Sequence, residues 1–264
     1  MKVALTIAGS DSGGGAGIQA DLKTFAAHGL HGASAITAVT AQNSVAVADF
    51  LVLPPGFVVA QIEAVASDMV VAAAKTGMLA NSEIVEAVAG ALHRLRIPHL
   101  VVDPVMVAKS GDALLDPSAR EAYLEYLFPL AEVLTPNLPE AGAFLGRPVR
   151  TLDEMRDAAR ELQMKGPRVV VVKGGHLSGD AVDVFFDGER LVEIEAPRID
   201  TRNTHGTGCT LSAAIAARLA LGEEPLQAVR GAKAYLTEAI RGSYSVGAGH
   251  GPVDHMHPLR ARPE

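Results

Sequence analysis

Two glycine-bearing loops hold the residues best able to do chemistry. Asn203-Thr204-His205-Gly206-Thr207-Gly208-Cys209-Thr210 runs straight into Leu211-Ser212-Ala213-Ala214-Ile215, an apolar stretch that reads as a helix. The free N–H groups and the dipole at such a helix start make an anion site. The Gly206-Thr207-Gly208 turn ahead of it is what a phosphoryl cradle needs. Cys209, placed there, is expected to have a lowered pKa. A lone cysteine is more often a small buried hydrophobe, but the Gly-Thr-Gly turn tips the reading toward chemistry. A thiol hydrolase built on Cys209 and His205 is weaker, because both lie on one loop with no evident acid to orient the histidine.

The second loop is Gly9-Ser10-Asp11-Ser12-Gly13-Gly14-Gly15-Ala16-Gly17, with five glycines in nine residues, followed by Ile18-Gln19-Ala20-Asp21. Glycines between a strand and a helix let backbone approach a ligand closely. No Lys-Ser or Lys-Thr follows, so it is not a P-loop, and the spacing is not that of a dinucleotide fingerprint. Taken alone, it reads as a tight turn.

Charged and amide groups follow other strands. Asp103 closes His99-Leu100-Val101-Val102, and Glu140 lies in Thr135-Pro136-Asn137-Leu138-Pro139-Glu140. Strand-end carboxylates can hold Mg²⁺ directly or through water. Singly, Asp103 reads as a strand-end cap and Glu140 as a helix-start charge. Lys173 ends Val169–Val172, and Lys233 sits on an apolar helix where it could simply snorkel. Gln42 follows a buried strand in Ala38-Val39-Thr40-Ala41-Gln42-Asn43-Ser44. Its amide pairs a donor with an acceptor, the complement of an aminopyrimidine edge. On that segment alone it reads as a turn-forming polar residue.

Short β-branched runs alternate with amphipathic ones. Strands are expected over Val3–Ala8, Ala33–Ala41, Leu100–Asp103 and Val169–Lys173, the last two buried on both faces of a parallel sheet. Helices are expected over Ile18–Ala27, Phe57–Ser67, Ser82–Leu95, Thr210–Leu221 and Leu226–Arg241. Thr151 and Glu154 form a capping box that opens a helix toward Met164. Asp187-Gly188 predicts a β-hairpin between Ala181–Phe186 and Arg190–Ile194. The alternation implies a doubly wound sheet, with ligands beyond the carboxyl ends of its strands. The tail after Gly242 reads as loop, and no repeat or linker is evident.

At 264 residues, with 48% apolar and 20% charged residues, the chain reads as one globular domain, residues 1–264. A formal net charge of −7 disfavours nucleic acid and anionic membrane as partners. The single cysteine fits a reducing compartment. The opening apolar run lacks the rest of a secretory signal, and no run is long enough to span a membrane, so the expected location is cytoplasmic.

Together these segments closely resemble the hydroxymethylpyrimidine and phosphomethylpyrimidine kinases of thiamine biosynthesis, within the ribokinase-like superfamily. The matching stretches are Ala8 to Asp21, Val39-Thr40-Ala41-Gln42-Asn43, Lys75-Thr76-Gly77-Met78-Leu79 and Val102-Asp103-Pro104-Val105-Met106. They continue with Thr135 to Glu140, Val172-Lys173-Gly174-Gly175-His176, Thr204 to Thr210 and Gly249-His250-Gly251-Pro252-Val253. Ser44 is one departure, where the family usually has Thr.

The resemblance implies a three-layer fold with a mostly parallel central sheet, helices on both faces and a β-hairpin at Ala181–Ile194. It implies a kinase that uses ATP and Mg²⁺ on 4-amino-5-hydroxymethyl-2-methylpyrimidine, and then on its monophosphate. Gln42 would read the ring, with Gly9, Asp21 and Met78 lining the pocket. Gly206, Thr207, Gly208 and Cys209 would form the anion hole, and Cys209 would take the hydroxymethyl proton. Many ribokinase relatives have an aspartate base at that place. Asp103 and Glu140 would organise Mg²⁺, while Asn137, Lys173 and Lys233 would handle the nucleotide. The partners implied are the pyrimidine and ATP, with a homodimer left open. Rival readings are a pyridoxine or pyridoxal kinase, which also serves a hydroxymethyl on a nitrogen heteroaromatic, and a non-catalytic pyrimidine sensor.

Overall fold

A computed structural model describes residues 1–106, 119–175, 177 and 179–260. The elements, in order, are β1 (Val3–Asp11), α1 (Gly17–Ala27), β2 (His31–Gln42), β3 (Val47–Val52), α2 (Pro55–Asp68), β4 (Val71–Thr76), α3 (Ser82–Leu95) and β5 (Leu100–Val102). There follow α4 (Ala119–Ala122), which continues as a π-helical turn over Tyr123–Leu127, then β6 (Val133–Leu134), α5 (Leu138–Leu145), α6 (Leu152–Gln163) and β7 (Val169–Val172). The chain goes on through β8 (Asp183–Phe186), β9 (Leu191–Ile194), α7 (Thr207–Leu221) and α8 (Pro225–Arg241). His176, the end of one matching stretch, lies outside the described residues.

The strands form one sheet in the order β3-β2-β1-β4-β5-β6-β7-β8-β9. The six from β2 to β7 are parallel, and β3, β8 and β9 add antiparallel edges. Side chains alternate across it. Leu5, Leu100, Val102, Val170 and Val172 face α2, α3, α5 and α6. Ala4, Val101, Val133, Val169 and Val171 face α1, α7 and α8. Covering both faces is why the central strands are continuous apolar runs rather than alternating ones.

Local chemistry sets several boundaries. In the capping box before α6, the Glu154 N–H donates to Thr151 Oγ1 at 3.2 Å and the Thr151 N–H donates to Glu154 Oε2 at 3.0 Å. The β8–β9 turn closes where the N–H groups of Glu189 and Arg190 donate to Asp187 Oδ1, with Gly188 at φ +95°. The paired strands are shorter than expected, but Ala181 and Ala196 exchange two backbone hydrogen bonds that extend the ladder.

Other elements differ from expectation. β1 runs on to Asp11, so the glycine loop proper is Ser12 to Ala16. α7 begins at Thr207, which places Cys209 inside its first turn. β3, β4, β6 and α4 were not anticipated, and α5 was marked only by the helix-start reading of Glu140. The tail is mostly loop as expected, and it returns to the site: the His205 N–H donates to the Gly251 carbonyl at 3.1 Å. No helix among the described residues is long and apolar enough to cross a membrane.

Candidate active site

A cavity of about 730 Å³ opens beyond the carboxyl ends of the parallel strands, and it brings together nearly all the residues singled out above. Its wall at β1, β2 and β4 holds Gly9, Gln42, Met78 and Lys75. A Cβ on Gly9 would stand 3.1 Å from Met78 Sδ, so glycine here lets Met78 pack against the β1 backbone in the pocket wall. Gln42 ends β2 half-buried. Its backbone N–H and carbonyl are both held at 2.7 Å by the Ser12 hydroxyl, and its Oε1 accepts from Thr40 Oγ1 at 3.2 Å. The side-chain amide is thus fixed at the pocket rim.

Asp21 corrects the expectation. It faces inward from α1, is fully buried, and does not line the pocket. Its carboxylate accepts from Thr6 Oγ1 at 2.6 Å and from Lys75 Nζ at 2.8 and 3.0 Å. The lining residue is therefore Lys75, whose role was not foreseen. Burial alone would lower the pKa of that ammonium, but the Asp21 carboxylate, together with Cys209 and Asp103, outweighs it and holds Lys75 protonated. A lone lysine in the apolar run Val71–Thr76 is itself a signal, since a buried charge needs a partner.

The floor is the start of α7. Gly206 caps it at φ +81°, and a Cβ there would stand 1.9 Å from the Gly15 carbonyl oxygen, so only glycine fits. Asp11 ties the two loops together. Oδ1 accepts from the Gly13 N–H, while Oδ2 accepts from the N–H groups of Gly15 and Ala16 and pairs with His205 Nε2 at 2.8 Å. Burial works against this carboxylate, but His205 and the backbone donors hold its pKa below the usual value. Asp11 was legible as an Asx turn, the common role of Asp two residues before a glycine in a turn.

Cys209 lines the cavity in the first turn of α7, but its thiol is not acidified. Burial pushes its pKa up to about 11, and the nearby Asp21 and Asp103 carboxylates add to this. The Lys75 ammonium and a hydrogen bond from the Gly17 N–H pull the other way without prevailing. The expected lowering at a helix start therefore fails. His205 does have an orienting acid in Asp11, but its contact with Asp11 turns it to the glycine loop, which gives the hydrolase reading no support.

The far wall carries the remaining charges. Lys173 Nζ pairs with Asp103 at 2.7 Å and approaches Glu140 at 3.8 Å. Asp103 also accepts from Ser212 at 3.2 Å and Thr135 at 3.3 Å. Burial opposes its ionisation, but Lys173 and Lys75 hold its pKa low. A Cβ on Gly208 would lie 3.4 Å from Lys173 Nζ, so this lysine borders the anion hole. Asn137 and Glu140 form a second capping box, opening α5 with N–H donations at 2.9 and 2.7 Å. Burial, together with Asp103, raises the Glu140 pKa to about 7. Lys233 faces the pocket, but its ammonium is paired with Asp183 at 2.7 Å.

The family model described as phosphomethylpyrimidine kinase matches residues 11–254. The hydroxymethylpyrimidine/phosphomethylpyrimidine kinase of Rhizobium meliloti (strain 1021) is 54% identical over 259 residues, 97% of each chain. The thiamine biosynthesis bifunctional protein of Geobacter sulfurreducens is 51% identical over 253 residues, 96% of this chain but 52% of that protein. Among solved structures, an ADP complex of Bacillus subtilis pyridoxal kinase superposes with a TM-score of 0.91 at 41% identity, covering 97% of each chain.

Proposed function

The chain belongs to the phosphomethylpyrimidine kinase family, and we propose that this cavity serves two successive phosphorylations, of 4-amino-5-hydroxymethyl-2-methylpyrimidine and of its monophosphate. It is a kinase of thiamine biosynthesis that uses ATP, built on the expected ribokinase-like α/β fold. The carrying observation is the meeting of Gln42, Gly9 and Met78 with the Gly206–Cys209 helix start in one cavity. The chain acts as one domain, because both layers of helices pack on one sheet.

The pyrimidine edge lies against Gln42, with its ring on the stretch of wall that Gly9 and Met78 form together. The hydroxymethyl group points at the start of α7. There the N–H groups after Gly206 hold the moving phosphoryl group, and Lys173 neutralises its charge. Cys209 Sγ takes the hydroxyl proton from its thiolate form, a minority species at neutral pH. Asn137 and Lys233 border the nucleotide, Lys233 through its pair with Asp183. Asp21 serves the site by holding Lys75.

Gln42 separates this reading from a pyridoxal kinase, the activity named for the similar Bacillus subtilis structure. An aminopyrimidine places a ring nitrogen beside an amino group, and a glutamine amide satisfies both. Pyridoxal has no such pair, and a buried amide left half-paired costs about 1–3 kcal/mol, roughly ten- to hundredfold. Gln42→Ala is expected to lower kcat/KM for the pyrimidine far more than for pyridoxal. Equal losses would remove Gln42 from ring recognition.

Asp103 and Glu140 fit a water-shelled Mg²⁺. Two buried carboxylates share one lysine, which pairs closely with Asp103 and only approaches Glu140. Such an ion would neutralise the phosphate oxygens. Asp103→Asn and Glu140→Gln should raise the Mg²⁺ concentration needed for half-maximal turnover, and unchanged titrations in both would exclude them.

A homodimer and a cytoplasmic location complete the proposal. The edge strand β3 exposes Phe50 and Leu51, beside exposed Val39 and Val45. An apolar edge is a template for a second copy. Phe50→Lys with Leu51→Lys should turn a dimer into a monomer in sedimentation velocity, and a wild-type monomer at micromolar concentration would refute the dimer. The one cysteine is not disulfide-bonded, which suits a reducing cytoplasm, and recovery of the protein in a membrane or secreted fraction would oppose that location.

A further inference from the structure

The two phosphorylations bring chemically different acceptors to one cavity. In the first, the attacking oxygen is a hydroxymethyl oxygen that carries a proton. In the second it is a non-bridging oxygen of a phosphate monoester. That group's second pKa is about 6, so the oxygen is already deprotonated at neutral pH. Only the first acceptor has a proton to lose.

The cavity has few groups able to receive it. Its carboxylates are committed to hydrogen-bond donors. Asp11 is taken by His205 and three backbone N–H groups. Asp103 is taken by Lys173 and Ser212. Asp183 is taken by Lys233 and the Gly174 N–H, and Glu140 by the Asn137 N–H. Asp21 is sealed behind Lys75. His205 also lines the cavity, but its Nε2 is held 2.8 Å from Asp11 and turned to the glycine loop, whereas the Cys209 sulfur lines the cavity in the same helical turn as the anion hole.

We propose that Cys209 acts as a base in the first phosphorylation alone, and that the second proceeds without a protein base. This rests on the assignment of Cys209 as the base for the hydroxymethyl group. In the first step the hydroxymethyl oxygen bonds to the γ-phosphorus, the bond from that phosphorus to the β–γ bridging oxygen breaks, and ADP leaves with the electron pair. The hydroxyl proton passes to the Cys209 thiolate. In the second step a phosphate oxygen makes the same attack, a P–O–P link forms, ADP leaves, and no proton changes hands. The anion hole and Lys173 serve both steps alike.

The test is single-turnover rates with saturating ATP, each acceptor alone, in wild type, Cys209→Ala and Cys209→Ser. With the alcohol, Cys209→Ala should be slower by about 10²–10⁴-fold, the range of a lost general base. With the monophosphate the loss should be much smaller, so the ratio of the two rates shifts by at least about tenfold. Cys209→Ser should shift the ratio in the same direction. Damage to the anion hole or to nucleotide binding would lower both rates together and leave the ratio unmoved. Equal losses with both acceptors would overturn the division of labour while leaving a role for Cys209. No loss with either acceptor would overturn the base assignment itself, and the division with it.

Discussion

Cys209→Ala is expected to lower kcat for the hydroxymethylpyrimidine by about 10²–10⁴-fold, the usual contribution of a positioned general base. The substitution keeps the backbone N–H that serves the anion hole, so binding of ATP should change little. The thiol works from an unfavourable starting point, because burial pushes its pKa up to about 11. The thiolate is then scarce at pH 7, but it is a stronger base for its scarcity. Comparison of kcat with the ATP dissociation constant checks this. Near wild-type turnover in the alanine variant would reduce Cys209 to a packing residue and assign the proton to water.

Gly206→Ala should be comparably damaging for a different reason. The backbone there sits at φ +81°, a conformation that L side chains rarely adopt. The added Cβ would stand 1.9 Å from the Gly15 carbonyl oxygen, which is backbone and cannot swing aside. The anion-hole loop must therefore separate from the glycine loop that Asp11 and His205 bind to it. Losing one aligned donor of this kind typically costs about 10²–10³-fold in kcat. The loss should appear with both acceptors, since both steps use the same phosphoryl cradle. Gly90→Ala is a fitting control, because no atom lies within 4 Å of its added Cβ and it sits on α3, off the cavity lining. Retention of full activity in Gly206→Ala would show that the loop does not hold the transferring group.

The sheet was most legible where burial on both faces wrote β-branched runs into the chain, as in Val169–Val172. β4 was missed because Val71-Ala72-Ala73-Ala74 carries little strand preference, and alanine is used there to let α7 pack closely. β6 has only two residues, too few for a pattern. α5 opens with Asn137 and Glu140 in the same capping spacing that marked α6, and the motif could have been read from that.

The composition of the cavity was legible through its motifs, but the pairing of its charges was not. Ion pairs such as Lys75 with Asp21 and Lys233 with Asp183 join residues 54 and 50 positions apart on different elements, and sequence spacing is silent about them. This is why Asp21 was placed in the pocket wall when it lies behind it. The Cys209 pKa shows a similar limit. A helix start favours a thiolate, but desolvation and two neighbouring carboxylates outweigh it, and those are properties of the folded site.

The kinase activity itself is tested most directly by supplying ATP and Mg²⁺ with the hydroxymethylpyrimidine, its monophosphate or pyridoxal as sole acceptor, and following phosphorus NMR. The expected result is conversion of the alcohol to the monophosphate and then the diphosphate, with kcat/KM for pyridoxal lower by roughly ten- to hundredfold, the cost of a half-paired Gln42 amide. Preferential phosphorylation of pyridoxal, with no diphosphate formed from the pyrimidine monophosphate, would contradict it.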